Sequence, residues 1–257
     1  MKLCLSTWSL RSQINRDFPF HEFPKVAKER YGIEAVELCQ QHFPPPDSRR
    51  LDQLLEVVTA NGSTITNIPV DVGNISQRDA VKRAYDVKLI KSWVDVAAYI
   101  GAPSIRVNTG RQDGEPDLSI TVASYNEIAD YAAPKGIRIG LENHGGLSAD
   151  PANIVKLVEA VGAKRFGTLP DFGNFSPEDR YRALEMIVPY ALIVHAKTLD
   201  FDENGHMPQF DFARCLEIVH KGGYDGYLSI EFEGKGDQYD GVAKSIALIR
   251  TLEPGIS

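Results

Sequence analysis

The sequence predicts a (β/α)8 barrel of the TIM type in the α/β class, running as one domain over residues 1–257. Three observations carry that expectation. Strand-like runs alternate with helix-periodic segments from end to end, in eight successive units. Helical segments stop on glycine just before the next strand-like run. The first strand leads into STWSLRSQ, where a doubly wound open sheet would need a glycine-rich phosphate loop.

Taken in order, the strand-like runs are KLCLS (2–6), IEAVELC (33–39), STITNIP (63–69), SIRVN (104–108), IRIGLEN (137–143), RFGTLPD (165–171), LIVHA (192–196) and GYLSIEF (226–232). Each is rich in β-branched or aromatic residues and bounded by turn formers. In the segment LDQLLEVVTANG, Leu51, Leu54, Leu55 and Val58 follow the i, i+3, i+4, i+7 pattern of one helix face. Gly62, Gly101 and Gly136 mark helix ends, while Asp150-Pro151 and Ser176-Pro177-Glu178 read as capped helix starts. The polar stretch 200–210 (DFDENGHMPQF) reads as a long loop over a barrel mouth. No Pro/Gly/Ser linker or low-complexity tract divides the chain.

Bulk properties exclude some classes. A formal charge of -7 argues against a nucleic-acid partner, which usually meets a basic face. No apolar stretch approaches the roughly 18 residues of a membrane span, and serines and Arg11 interrupt the N-terminal run before a signal-peptide core forms. Cys4, Cys39 and Cys215 are odd in number and sit among apolar residues, so they read as reduced core thiols of a cytoplasmic protein.

The chemistry concentrates in four strings of the second half: LENHGG, LPDFGNF, IVHAKTLDF and LSIEFEG. Each is an apolar run ending in Glu142, Asp171, His195 or Glu231. On consecutive barrel strands these ends face one mouth. A single carboxylate after a buried run is usually a hydrogen-bond partner, but four such groups in register form a ligand set for a divalent metal. Three carboxylates and one imidazole suit Mn2+ first, with Mg2+ or Co2+ as alternatives. Neither HExxH nor paired CxxC occurs to support a zinc-protease or structural-zinc site.

These strings, together with GYDGYLSIEFEG and VHAKT, resemble the xylose isomerase-like TIM-barrel superfamily of sugar isomerases and epimerases, to which endonuclease IV also belongs. The resemblance implies that Glu142, Asp171, His195 and Glu231 hold the metal and that Glu142 and Glu231 are the catalytic acid/base pair. It implies a sugar or keto-sugar substrate and a homodimer or homotetramer. In that chemistry, removing a proton beside a carbonyl leaves an enediolate whose charge a divalent cation stabilises. One glutamate deprotonates and the other reprotonates. The alternative is a dehydratase of the inosose or dehydroshikimate type on the same barrel; a non-catalytic sugar-binding subunit is a third reading. The DNA-repair branch needs further histidines on the early strands, where Asn67, Asp71 and Asn108 stand instead.

The resembling families commonly carry a second histidine three positions after the aspartate, where this chain has Asn174, a hydroxyl-binding but not proton-accepting group. Lys197 and His144 are candidates for substrate contact, each two residues past a ligand. Trp8, Glu37, Arg106 and Asn108 are further substrate-binding candidates near early strand ends, with Arg106 suited to clamp a phosphate or carboxylate. Glu233 is a candidate supporting group. His206 is a lid candidate, and His21, His42 and His220 are expected to face solvent.

Overall fold

Polar and apolar residues alternate along the strands, so one set enters the barrel while the other meets the helices. The computed structural model describes residues 1–256. Its strands are β1 (Lys2–Ser6), β2 (Ala35–Glu37), β3 (Thr64–Val70), β4 (Ser104–Val107), β5 (Arg138–Glu142), β6 (Phe166–Leu169), β7 (Val194–Thr198) and β8 (Tyr227–Phe232). The helices between and after them are α1 (Phe23–Tyr31), α2 (Ser48–Asn61), α3 (Ala80–Ile100), α4 (Leu118–Ala132), α5 (Pro151–Val161), α6 (Arg180–Ile187), α7 (Phe212–Lys221) and α8 (Gln238–Leu252).

All strand pairs are parallel, in the order β6-β5-β4-β3-β2-β1-β8-β7. The seam between β6 and β7 closes through bridges at Thr168–Ala191 and Asp171–His195. There Leu192 N donates to Thr168 O (2.8 Å) and His195 N to Pro170 O (2.9 Å). Eight parallel strands with a helix after each form the expected barrel.

Helix ends follow local rules. Asp47, Asp79, Asp117, Asp150, Asp211 and Asp237 each cap a helix by accepting a backbone N–H, a contact contributing about 1 kcal/mol. Gly62 and Gly101 stop α2 and α3 in the left-handed conformation (φ 62° and 75°). The core lies between sheet and helices. Tyr125 on α4 is fully buried, packs edge-on against Phe166 (4.6 Å) and donates its hydroxyl to Val107 O (2.7 Å). Cys4, Cys39 and Cys215 are free and buried, as expected.

Some boundaries differ. β2 is shorter than 33–39, and its register against β3 shifts between Val36 and Glu37. β6 ends at Leu169, since Pro170 has no N–H to donate. β7 begins two residues late and runs to Thr198, where it pairs with Phe232. Ser176 caps as expected, its Oγ accepting Asp179 N (3.3 Å) and its carbonyl Arg180 N (2.9 Å), but a turn intervenes and α6 itself starts at Arg180.

Candidate active site

Because strand residues alternate, Glu142 on β5, His195 on β7 and Glu231 on β8 point into the barrel beside Asp171, which follows β6. All four are buried, and one ligand atom from each lies within 4.8 Å of the other three. His195 Nδ1 is 3.0 Å from Glu142 Oε1 and 3.7 Å from Glu231 Oε1. Asp171 is fixed along its length. Its Oδ1 accepts the N–H groups of Gly173 (2.7 Å) and Asn174 (3.0 Å), leaving Oδ2 buried without a hydrogen bond. Asn143 clamps its backbone, accepting Asp171 N (2.8 Å) and donating to Asp171 O (3.0 Å). Glu142 Oε2 is likewise buried and lacks an aligned hydrogen bond, although Arg106 Nε and His144 Nδ1 each stand 3.2 Å away.

Lone pairs converging in a buried space repel one another unless a cation lies among them. The titration behaviour reflects that crowding. Burial, together with repulsion from Glu142 and Asp171, pushes Glu231 up to about 7, with His195 and Lys197 offsetting only part. Burial also raises Asp171, against the pull of Lys197. For Glu142, burial is outweighed by Arg106 and His195, which hold it well below the usual carboxylate range. Burial opposes charge on His195, yet Glu37, Glu231 and Glu142 hold its imidazolium well above its ordinary range. The donor set fits a hard or borderline divalent cation.

A second layer of side chains supports the first. Glu37 is 0% exposed and does not reach the cavity, so the expectation of substrate contact is corrected. Its Oε1 lies 3.1 Å from His195 Nε2 and accepts Asn67 Nδ2 (2.8 Å), while Oε2 accepts Ser229 Oγ (2.7 Å). That arrangement lets Nε2 donate to Glu37 and turns Nδ1 toward the carboxylates, the orientation a ligating histidine needs. Asn67 is held in turn by Ser104 Oγ (2.8 Å).

Above the cluster opens a cavity of about 430 Å3. Trp8, Arg106, Asn108, His144 and Lys197 line it together with Glu142 and Glu231. Half-buried Asn174 stands beside the cavity between two of its lining residues: its amide donates to Glu142 Oε1 (3.2 Å) and its carbonyl accepts Lys197 Nζ (2.9 Å). Arg106 lines the cavity, but its guanidinium is engaged by Asp71 and Glu142, so it is no free clamp for a phosphate. Lys197 lies 3.2 Å from Asp171 and 3.0 Å from Glu233. Trp8 Nε1 donates to Glu233 Oε1 (2.6 Å). Asn108 donates to Asp71 (3.3 Å) and keeps a buried, unpartnered Oδ1. His206 is exposed, 3.5 Å from Asp202, and outside the cavity, so it forms no part of its wall. His42 is only half-exposed: it stacks on Trp8 (6.2 Å) and meets Thr7 Oγ1 (3.0 Å), and burial pushes its pKa down to about 4.

The family profile described as "Xylose isomerase-like TIM barrel" matches residues 25–252. The chain belongs to that family. Among curated relatives, it is 44% identical over 71 residues to the C-glycoside deglycosidase alpha subunit of Arthrobacter globiformis, a match covering 25% of this chain and 20% of that protein. The matched part therefore spans about a fifth of that relative's length. Among solved structures, the barrel superposes on an L-ribulose 3-epimerase (TM-score 0.77, 16% identity, 98% of this chain and 94% of that one). It also superposes on a probable 3-DHS dehydratase, AsbF, from Bacillus anthracis (TM-score 0.76, 18% identity, 96% and 98%). At such identities the two structures establish a shared fold. No helix among the described residues is long and apolar enough to cross a membrane.

Sequence reasoning did not single out Asn143 or Ser229. Asn143 carries a usable signal, an amide directly after an inward glutamate, hence on the face between β5 and β6. Ser229 stands two residues before Glu231, on the same inward face.

Proposed function

We propose that this chain is a divalent-metal-dependent enzyme that moves a proton at the carbon beside a carbonyl of a sugar or keto-sugar, as an isomerase or epimerase. The observation that carries the reading is the buried meeting of Glu142, Asp171, His195 and Glu231 at the base of an open cavity. These four residues would hold the cation, Mn2+ by preference of the donor set, and Mg2+ or Co2+ as alternatives. The bound cation would act as a Lewis acid toward the substrate's oxygens.

The chain's own groups do the rest. Glu142 and Glu231 reach the cavity from β5 and β8, so one takes the proton from carbon and the other returns one. Lys197, held between Asp171 and Glu233, presents a fixed positive charge to oxygen charge that develops in the transition state. Asp71 keeps Arg106 turned toward Glu142.

A lyase reading has its own support. Asn174 bridges Glu142 and Lys197 and supplies no proton acceptor, while one sequence relative is a deglycosidase alpha subunit and one structural neighbour a probable dehydratase. After the same proton abstraction, a group on the next carbon leaves with its bonding electrons. Half-exposed His144, 3.2 Å from Glu142, is placed to protonate it.

Metal-loaded protein incubated in D2O with ketoses, keto-sugars and keto-inositols tests the proposal by NMR. Deuterium should enter the carbon beside the carbonyl, with wild type but not with Glu231→Gln. Exchange followed by an unsaturated product selects the lyase reading. Absence of exchange across the panel, with metal bound, contradicts both.

A further inference from the structure

Arg180, the first residue of α6, is buried without a carboxylate beside it. It is 7% exposed, yet among the described residues no acid pairs with it, and neighbouring Asp179 pairs with Arg182 instead (2.9 Å). Burying an unpaired cation is costly, so other contacts must offset it. The guanidinium finds them on the loop after β6, where Nη2 donates to the carbonyls of Gly173 (3.4 Å) and Phe175 (3.3 Å). Its Cζ lies 4.4 Å from the ring centroid of Phe210, a buried residue at the end of the long loop after β7.

The carbonyl of Gly173 and the N–H of Asn174 belong to one peptide. That N–H donates to Asp171 Oδ1 (3.0 Å), as the N–H of Gly173 also does (2.7 Å). A single peptide plane therefore stands between the guanidinium and the carboxylate. Its oxygen faces Arg180 and its hydrogen faces Asp171. A trans peptide is rigid, and its dipole runs along this line, so the two charges are joined without touching. The plane is also held from the side. Gly173 lies so close to Lys197 that a Cβ there would stand 2.7 Å from Lys197 Cδ. The Asn174 side chain meanwhile bridges Glu142 and Lys197.

We propose that Arg180 is a positioning residue of the metal centre, acting on Asp171 through the Gly173–Asn174 peptide. The assignment rests on the metal-dependent reading above and adds to it a residue that contacts no ligand side chain. The charge of Arg180 strengthens the Asn174 N–H bond to Oδ1, which fixes the carboxylate and leaves Oδ2 to serve the cation. Phe210 shields the guanidinium from water, and in a dry surrounding a charge acts with less screening. The long loop after β7 thereby supports the site through a residue that does not line the cavity.

Arg180→Met and Arg180→Lys test the assignment in three measurements. These are calorimetric titration with MnCl2, chemical denaturation of the metal-free proteins, and amide NMR of protein carrying 15N-labelled asparagine and glycine. Arg180→Met should bind Mn2+ about 10- to 100-fold more weakly. Its metal-free stability should equal or exceed that of wild type, because an apolar side chain replaces a buried charge. Arg180→Lys keeps the charge and should recover at least half of the lost affinity on a logarithmic scale. In Arg180→Met the Asn174 amide proton should move upfield by more than that of Gly173, whose peptide carbonyl belongs to Phe172. Unchanged Mn2+ affinity in Arg180→Met would overturn the assignment and leave the metal centre standing. A loss that Arg180→Lys does not recover, or an unmoved Asn174 amide, would overturn it too. A large loss of metal-free stability in both variants would make Arg180 a packing residue, with the same consequence. Absence of Mn2+ binding by wild type would remove the metal-dependent reading and the assignment together.

Discussion

The two halves of the barrel turn different kinds of residue inward. The β5–β8 half turns inward Glu142, Asp171, His195 and Glu231, whose ligand atoms meet. In the β1–β4 half, Ser6, Glu37, Asn67 and Arg106 add no member to that cluster. Each instead contacts one of its members or a neighbour of one. Ser6 Oγ is 3.4 Å from Glu231, Glu37 holds His195, Asn67 holds Glu37, and Arg106 pairs with Glu142. One half concentrates charge and the other aims it. Polar strand ends in such a barrel are therefore not equivalent, and those lying beneath a site are easily mistaken for substrate contacts.

That contrast orders the expected effects. Asp171→Asn or Glu142→Gln should abolish metal binding and proton exchange, by more than the roughly 100-fold upper range for outer groups. Calorimetric titration with MnCl2 reads the loss directly. On the aiming side, Glu37→Gln should weaken metal affinity by about 10- to 100-fold while the fold is kept. If it instead changed only substrate affinity, the proposed division of labour would be wrong. Asn143→Ala removes both bonds to the Asp171 backbone and leaves buried groups unpaired. It should cost about 1–3 kcal/mol in chemical denaturation and also loosen the metal.

The smallest effect concerns His42. Its depressed pKa means the unfolded chain binds the proton more readily. The stability associated with neutral His42 is thus complete above about 6.5, its ordinary value, and declines as pH falls toward about 4. His42→Gln should flatten that part of a stability–pH curve without altering metal affinity at neutral pH.

Much of this was legible in the chain. Each apolar run stops at a polar residue that faces inward, so Glu142, Asp171, His195 and Glu231 could be aligned from the sequence alone, before any geometry. The glycine stops at Gly62 and Gly101 were equally local signals. What stayed hidden depends on neighbours across the barrel. Glu37 and Arg106 each look like a free polar strand end, and only the β2–β3 register and the approach of β7 show that their charges are already matched. The bridge that Asn174 makes between Glu142 and Lys197 was equally invisible, because all three stand on different segments. The cap at Ser176 was legible, while the turn between it and the start of α6 was not.

Anomalous diffraction at the manganese edge, from crystals grown with MnCl2, tests the central claim most directly. The account predicts one strong peak bounded by Glu142, Asp171, His195 Nδ1 and Glu231, with Glu37 still on His195 Nε2. A peak on the Nε2 side of His195, or a cation bound elsewhere with this cluster unchanged, would contradict it.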